Sequence, residues 1–366
     1  MNRVEIITQF HNARTHGHRC TLSTRSVEAN QAFHDLSESE ISELIEFSLT
    51  ADDDHSEVLA RLACSHPGSM NAWHERLIEQ EIYSPEVIYH EANPDCVRKF
   101  ADLISTAANS LRRRQLLSCM AWAGNAEVVS LFNIWRQSPP AWVSELSLPP
   151  HEYSYEAGWE LTSEGERRNL FTNSAIPLVS SAKSSSDDAP VQGGKPIDQR
   201  CPWCDQQLIA VLDIDSTNER VSFLGLRGSR HRLITCRNCD RYGPLFARSN
   251  GIGDLSWHPS NVRPSLLLNE SSASLFERKL KLADNHCHFM ESASWFNVPL
   301  IAHSQIGGLP TWINDAEYPN CPECSRKMPF IGQISSEDIH PFYEERIYFC
   351  FICTKCNVTA TNCQQS

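Results

Sequence analysis

The chain has 366 residues, 41% of them hydrophobic, and a formal net charge of −13 at pH 7. This length predicts two or three domains with sizeable cores, and no stretch approaches the roughly 20 apolar residues of a membrane helix. The N-terminus lacks the apolar run of a secretory signal, so we expect a cytoplasmic protein.

The excess negative charge is concentrated in the first half of the sequence. Residues 1–199 carry 16 Lys and Arg against 28 Asp and Glu, whereas residues 200–366 carry 16 against 17. Nine acidic residues and no Lys or Arg lie between Glu28 and Asp54. Such a run is usually a solvated face, but it also repels nucleic acid and attracts a basic protein. The carboxylates expected to meet a partner are those of Glu38, Glu40, Glu43, Glu46, Asp52, Asp53 and Asp54.

Residues 1–145 predict an α-helical domain. Ser37 and Glu40 form a capping-box pattern, and apolar residues at helical spacing follow it. A Gly-Asn turn at residues 124–125 separates two further amphipathic helices, the second of which resembles a helix of an ankyrin-type repeat. The side chains expected in the core are Ile41, Leu44, Ile45, Leu49, Leu116, Leu117, Met120, Ala121, Val128, Val129, Leu131, Phe132 and Trp135.

The sequence changes character after this helical part. Residues 146–180 are rich in aromatic and turn residues and predict a hairpin with an extended arm. Residues 181–199 are polar, with Ser, Asp, Gly and Pro, which is typical of a linker. From residue 200 onward, short runs of β-branched and aromatic residues alternate with turn residues and predict strands. The predicted fold class is therefore α+β, with an N-terminal helical domain followed by a mostly β module.

Eight of the 15 cysteines fall into four C-x-x-C pairs. Cytosolic thiols stay reduced, which argues against disulfides. Two such pairs about thirty residues apart are typical of a zinc ribbon, in which four thiolates surround one ion and leave no position for water. We therefore expect two structural zinc ions. The predicted ligands are Cys201, Cys204, Cys236 and Cys239 for the first ion, and Cys321, Cys324, Cys353 and Cys356 for the second.

The two cysteine modules look like copies of each other. "CPWCDQQLIAVLDID" aligns with "CPECSRKMPFIGQIS", and the closing pairs begin 35 and 32 residues after the opening ones. This duplication predicts two similar lobes, 200–299 and 300–366, packed about a pseudo-twofold axis. Zinc would supply folding free energy that such small lobes lack.

Other readings of the cysteines remain open. "CPWC" also resembles the active dithiol of glutaredoxin-like proteins, which would need a helix start in a βαβ unit. Cys350 lies three positions before Cys353 and competes with Cys356, although the latter sits after a predicted strand. The seven cysteines outside the four pairs are expected to be mostly small buried hydrophobes. A third metal could be held by His286, Cys287 and His288, for which no fourth ligand is evident.

The C-terminal region resembles the YwqG-like family of bacterial proteins. The resemblance rests on "SQIGGLPTWINDAEYPNCPECSRKMPFIGQI" and on "IYFCFICTKCNVTATNCQQS", and it is good over residues 300–366 and weak over 200–299. The pattern is also similar to the zinc-containing programmed-cell-death-2 proteins, which escort a ribosomal protein. The matching residues are Gly307, Gly308, Pro310, Trp312, Cys321, Cys324, Gln333, Cys353, Cys356, Gln364 and Gln365.

No enzyme motif is found: a P-loop, a dinucleotide fingerprint, a zinc-protease helix and a G-x-S-x-G elbow are all absent. We therefore expect a non-enzymatic binding protein, and an immunity protein that neutralises a basic toxin, such as a nuclease, is the leading hypothesis. An escort for a basic ribosomal protein is the alternative that the resemblance implies. A zinc-ribbon nucleic-acid-binding protein is a further alternative, because a basic cluster occurs at Arg227, Arg230, Arg232, Arg237 and Arg241.

Overall fold

The computed structural model divides into two compact units, which meet in sequence between Arg168 and Asn169. The structure describes the chain over the following residues: 2–15, 31–50, 56–181, 189–265, 267, 279–284, 287–288, 304–339 and 346–365.

The first unit is helical, as the sequence predicts. The helices described in it are α1 (Arg3–Thr15), α2 (Glu38–Thr50), α3 (Ser56–Ser65), α4 (His74–Glu79), α5 (Pro94–Thr106), α6 (Ser110–Ala123) and α7 (Ala126–Gln137).

Local capping determines where these helices begin and end. At the start of α2, the backbone N–H of Ser37 donates to Oε2 of Glu40 at 2.8 Å, which is half of the predicted capping box. Helix α6 ends at Gly124, whose φ of 52° is left-handed. The next residue, Asn125, caps α7 by accepting from the N–H groups of Glu127 and Val128. The predicted Gly-Asn turn is therefore present.

The core of this unit follows the predicted helical faces. Ten of the thirteen expected core side chains are buried, while Leu49, Val129 and Leu131 are half-buried against the same core. A hairpin of β1 (Trp159–Leu161) and β2 (Arg167–Asn169) follows the helices. Its fully buried Trp159 stacks on Phe132 at a ring distance of 5.9 Å and donates from Nε1 to the carbonyl of Ala121 at 2.8 Å.

The predicted linker at 181–199 is wrong for the part that the structure describes. Residues before and after the undescribed positions 182–188 lie in strands β3 (Ser174–Ser181) and β4 (Val191–Arg200). Glycine, proline and charge suit β4 because it is an edge strand, exposed over most of its second half. A Cβ at Gly193 would come within 3.3 Å of Ile334, so glycine here also allows close packing.

The second unit is mostly β, which confirms the predicted fold class. Its remaining strands are β5 (Gln207–Asp215), β6 (Arg230–Thr235), β7 (Leu245–Ser249), β8 (Leu255–Trp257), β9 (Lys279–Leu282), β10 (Cys287–His288), β11 (Gln305–Gly307), β12 (Phe330–Ser335), β13 (Arg346–Cys353) and β14 (Val358–Gln365), with a short helix α8 (Ser336–Ile339).

Among the described residues, the strands of this unit form two antiparallel sheets. The small sheet has the order β4-β5-β6. The large sheet has the order β10-β3-β11-β12-β13-β14-β7-β8, and β9 also pairs with β3. A shared apolar core lies between the sheets, with Leu212 of β5 and Ile306 of β11 among its members. At Gly332 of β12 a Cβ would lie 3.1 Å from Leu212 and 2.6 Å from a backbone oxygen, so the closest approach requires glycine.

The duplication is visible, but the two lobes are not separate bodies. Each copy runs knuckle, strand, strand, knuckle, strand: β5, β6 and β7 in the first copy, and β12, β13 and β14 in the second. In the second copy, β14 pairs with its own β13. In the first copy, β7 leaves β6 and pairs with β14 of the other copy. The predicted division between 200–299 and 300–366 therefore runs through one continuous sheet.

Asn125→Ala should lower the free energy of unfolding of the helical unit by about 1–2 kcal/mol, because α7 loses its cap. The side chain also donates to the carbonyl of Ala92 at 2.8 Å, and that bond is lost as well. Asn125→Asp, which keeps the capping oxygen, should recover part of the loss in urea denaturation. Equal stability of the alanine variant and the wild type would show that the cap contributes nothing.

Candidate metal centres

The first C-x-x-C pairs come together in one four-cysteine cluster. The sulfur atoms of Cys201, Cys204, Cys236 and Cys239 all lie within 4.8 Å of one another. The separations are 3.8 Å for Cys201 to Cys239, 3.4 Å for Cys204 to Cys236 and 3.7 Å for Cys204 to Cys239. A tetrahedron of sulfurs at about 2.3 Å from a zinc ion has edges of about 3.8 Å. The cluster therefore has the dimensions of a closed metal site.

The second cluster repeats this arrangement. The sulfurs of Cys321, Cys324, Cys353 and Cys356 also lie within 4.8 Å of one another, with 3.8 Å between Cys324 and Cys353. The structure thus groups the eight predicted cysteines into two sets of four, in the predicted partition. The second set is less enclosed, because Cys324 and Cys356 are both half-buried.

The opening knuckles of the two clusters share the same backbone hydrogen bonds. The N–H of Cys201 donates to the carbonyl of Gln206 and that of Cys321 to the carbonyl of Arg326, both at 2.8 Å. The residue after each second cysteine has a left-handed φ, 59° at Asp205 and 57° at Ser325. This backbone conformation turns the chain so that both thiols of a pair face one point.

Backbone N–H groups within the knuckles also donate to sulfur. Those of Trp203 and Cys204 point at Cys201, and those of Glu323 and Cys324 point at Cys321. Such donors stabilise a thiolate over a thiol. The knuckles are therefore prepared for negatively charged sulfur.

Four thiols packed this closely cannot all ionise without a cation. A hydrogen bond from Cys236 lowers the pKa of Cys201 to about 5, and the same contact with burial raises the pKa of Cys236. In the second cluster, burial raises the pKa of Cys321 to about 12 and that of Cys356 to about 11. In the first cluster, ionisation of one thiol thus opposes ionisation of its neighbour, and in the second cluster burial opposes ionisation; a divalent cation would offset both effects.

The ambiguity at Cys350 is resolved by its position in β13. Its side chain is buried in the apolar core between the sheets, and burial raises the pKa of its thiol. Cys353 and Cys356 complete the second cluster instead. Cys64, Cys96 and Cys119 are likewise buried, as expected for small hydrophobic residues.

The "CPWC" segment lies in a turn between the antiparallel strands β4 and β5. The redox alternative needs a helix start in a βαβ unit, and this turn provides neither. The sulfur of Cys204 is also shared with the second pair of its cluster. The structure therefore favours the metal interpretation of this pair.

The arginines that suggested nucleic-acid binding are partly used within the fold. Asp213 of β5 has a fully buried side chain, and it accepts from Nε of Arg230 at 2.6 Å and from Nε of Arg232 at 3.1 Å. Nη1 of Arg232 also donates to the carbonyl of Gly253 at 2.9 Å. These two cations therefore balance an internal carboxylate.

The proposed acidic face is only partly described by the structure. Glu40 belongs to the capping box, and Glu46 forms an ion pair with Arg76 at 2.5 Å. Glu38 and Glu43 are exposed on α2. The carboxylates that lie outside the described residues are those of Asp52, Asp53 and Asp54. The predicted third metal group also lies partly outside the described residues, since His286 and the side chains of Cys287 and His288 are not described.

Sequence reasoning missed two charged side chains beside the clusters. Asp240 follows Cys239 and is buried near Arg346, and burial raises the pKa of its carboxyl to about 6. Glu323 lies between the cysteines of the second opening pair and accepts from Arg248 and from Nε2 of His258. Each partner is distant in sequence, so no local pattern could have indicated the pairing.

Glutamines in the family-like signature hold an irregular loop against the large sheet. Oε1 of Gln333 accepts from the N–H of Thr311 at 2.9 Å, and Oε1 of Gln364 accepts from the N–H groups of Ile313 and Asn314 at 3.0 and 3.1 Å. The ring of Trp312 packs on β13 from the same loop. The signature residues thus fix a loop that has no regular secondary structure of its own.

Cys201→Ser or Cys321→Ser should destabilise the second unit by several kcal/mol, because small zinc domains derive about 10–16 kcal/mol from their metal. Hydrogen exchange read by mass spectrometry should show the loss in residues 189–365 and not in the helical unit. Cys363→Ser, at a cysteine outside both clusters, is the matched control. Equal loss of protection in both units would contradict the assignment.

Comparison with known proteins finds a relative that aligns with the whole chain. The uncharacterized protein YpfL of Salmonella typhimurium (strain LT2) is 30% identical over 382 aligned residues, covering 100% of the chain and 86% of the relative. No family model matches the chain, and no solved structure matches it. Of the helices in the described ranges, none combines the length and the apolar character that crossing a bilayer requires.

Proposed function

We propose, for a chain that belongs to the family of the Salmonella protein YpfL, that it is a non-enzymatic protein-binding protein stabilised by two structural zinc ions. The observation that carries the proposal is the pair of closed four-sulfur clusters. The alignment with the relative spans both units, so the helical part and the β part occur together in the family.

Zinc fits both clusters better than other common ions. Thiolate sets of four with tetrahedral spacing are typical of zinc or iron, and a ribbon of two knuckles is typical of zinc. Cys201, Cys204, Cys236 and Cys239 would hold one ion, and the other four cysteines the second. The metal would act as a cross-link between knuckles and would leave no open position for substrate or water. Eight reduced cysteines in two metal sites are typical of a reducing compartment, which supports a cytoplasmic location.

The charge distribution supports a basic protein as the partner. The net charge is −13, and most of it comes from residues before 200. Glu38 and Glu43 are exposed on one helix, where they would attract a cationic surface. Nucleic acid is less well supported, because Arg230 and Arg232 are engaged by Asp213.

An immunity protein that neutralises a basic toxin, for example a nuclease, is the role that these features favour. It needs a stable scaffold, an acidic surface and no catalytic site. The resemblances to YwqG-like and programmed-cell-death-2 proteins support the scaffold, and the second of them implies an escort for a basic ribosomal protein as the alternative. Identification of the partner separates the two roles.

Elemental analysis of protein purified without added metal should give about two zinc atoms per chain. Cys236→Ser should reduce this to about one or fewer, whereas Cys350→Ser should leave it unchanged. A folded wild-type protein without metal would refute the zinc assignment.

Affinity capture from source cells, followed by mass spectrometry, should recover a basic protein whose association rate falls as salt is raised. The double variant Glu38→Lys, Glu43→Lys should slow association by about tenfold or more. Asp102→Lys, an exposed reversal on α5, is the control. An acidic partner, or a rate that salt does not change, would contradict the acidic-face proposal, and a ribosomal protein would assign the escort role.

A further inference from the structure

A single strand connects the two metal clusters. β13 ends at Cys353, a ligand candidate of the second cluster, and its first and third residues, Arg346 and Tyr348, lie beside Asp240, which follows Cys239 of the first cluster. It pairs with β14 from Arg346 to Cys353 and with β12 from Ile347 to Phe351, and every residue after Arg346 is buried. Because neighbouring strands hold this strand on both sides, we expect a displacement at one end to be transmitted to the other end.

The contact at the start of β13 depends on the first closing knuckle. Asp240 is 2% exposed, and its N–H donates to the carbonyl of Cys236 at 2.9 Å. Nη1 of Arg346 lies 3.7 Å from its carboxylate, and Arg346 and the hydroxyl of Tyr348 both favour the charged form. A buried carboxylate depends strongly on a nearby cation. If the knuckle opens, this ion pair is lost, and Arg346 keeps only its contacts within the large sheet, among them the hydrogen bond from Nη2 to Oε1 of Gln365 at 2.7 Å.

A second contact runs in the opposite direction, from the first copy to the second cluster. β7 follows the first closing knuckle and carries Arg248. The side chain of Arg248 donates to Glu323, which lies between the two cysteines of the second cluster's opening knuckle. His258, after β8, donates to the same carboxylate from Nε2 at 3.0 Å. The N–H of Ser249 donates to the carbonyl of Asn357, next to Cys356, at 2.8 Å. Each cluster is therefore held by a segment that extends from the other copy.

We infer that the two sites bind metal cooperatively, so that an ion in one cluster raises the affinity of the other. This inference rests on the proposed metal-binding function. Filling the first cluster fixes Asp240, and Asp240 positions the strand that supplies Cys353. Filling the second fixes Glu323 and Asn357, which position β7 behind the first cluster. Coupling between sites of this kind changes affinity by about 5- to 150-fold, and the change is the same in both directions.

The test is a zinc titration of the reduced, metal-free full-length chain. Zinc is supplied at less than two equivalents through a competing chelator, so that binding is reversible, and native mass spectrometry counts chains with no, one and two ions. Cooperative binding should keep the one-zinc share below that of a binomial distribution. Two variants should raise that share: Arg346→Gln, which removes the cation beside Asp240, and Glu323→Gln, which weakens the reciprocal contact. Arg227→Gln, at an exposed arginine of the same unit, should behave as the wild type.

The outcomes separate the inference from the function on which it rests. A low one-zinc share in the wild type that rises in Arg346→Gln supports the inference. A wild-type share at or above the binomial value overturns cooperativity if Cys236→Ser, which breaks the first cluster, leaves the zinc affinity of the second cluster unchanged, and two zinc sites then stay in place. A low share that neither variant changes overturns the assigned connection. Failure of the chain to bind zinc at all overturns the proposed function and the inference together.

Discussion

Repulsion among closely packed sulfurs is the constraint on which the second unit depends. Four thiols within 4.8 Å of one another can become thiolates together only around a cation. The knuckles that hold them are short turns whose backbone hydrogen bonds are already formed, with left-handed residues at Asp205 and Ser325. The turns fix the direction of the thiols, and the ion would hold the turns together.

The duplicated sequence does not produce two independent lobes, and the route of β7 explains why. In the second copy the last strand returns to its own module, whereas in the first copy the equivalent strand joins the other module. An isolated three-stranded lobe would expose one sheet face and two edges, and sharing a strand removes one of those edges. The apolar core then lies between the two sheets rather than inside either copy. This exchange also brings Arg248 to Glu323 and Arg346 to Asp240.

Spacing in the sequence was sufficient to predict the features that are local. The C-x-x-C pairs, the capping box at Ser37 and the Gly-Asn turn are each complete within a few residues, so their chemistry can be recognised without a structure. Composition wrongly indicated a linker at β4, because the same polar residues occur in exposed edge strands and in linkers. The partners of Asp240 and Glu323 are set by strand order in the sheet, which no local pattern encodes. The acidic surface remains a prediction, since three of its seven carboxylates lie outside the described residues.

The loop fastened by Gln333 and Gln364 has a consequence for how the surface of this unit can vary. Apart from the buried hydroxyl of Thr311, which accepts from Nε2 of Gln333, its attachment to the two glutamines uses main-chain groups on the loop side, including the N–H groups of Thr311, Ile313 and Asn314. Any residue except proline offers such a donor, so the outward side chains there are not needed to keep the loop in place. Asn314 and Asp315 are exposed at this position. The exposed side chains of this segment can therefore change during evolution while the loop backbone keeps one conformation.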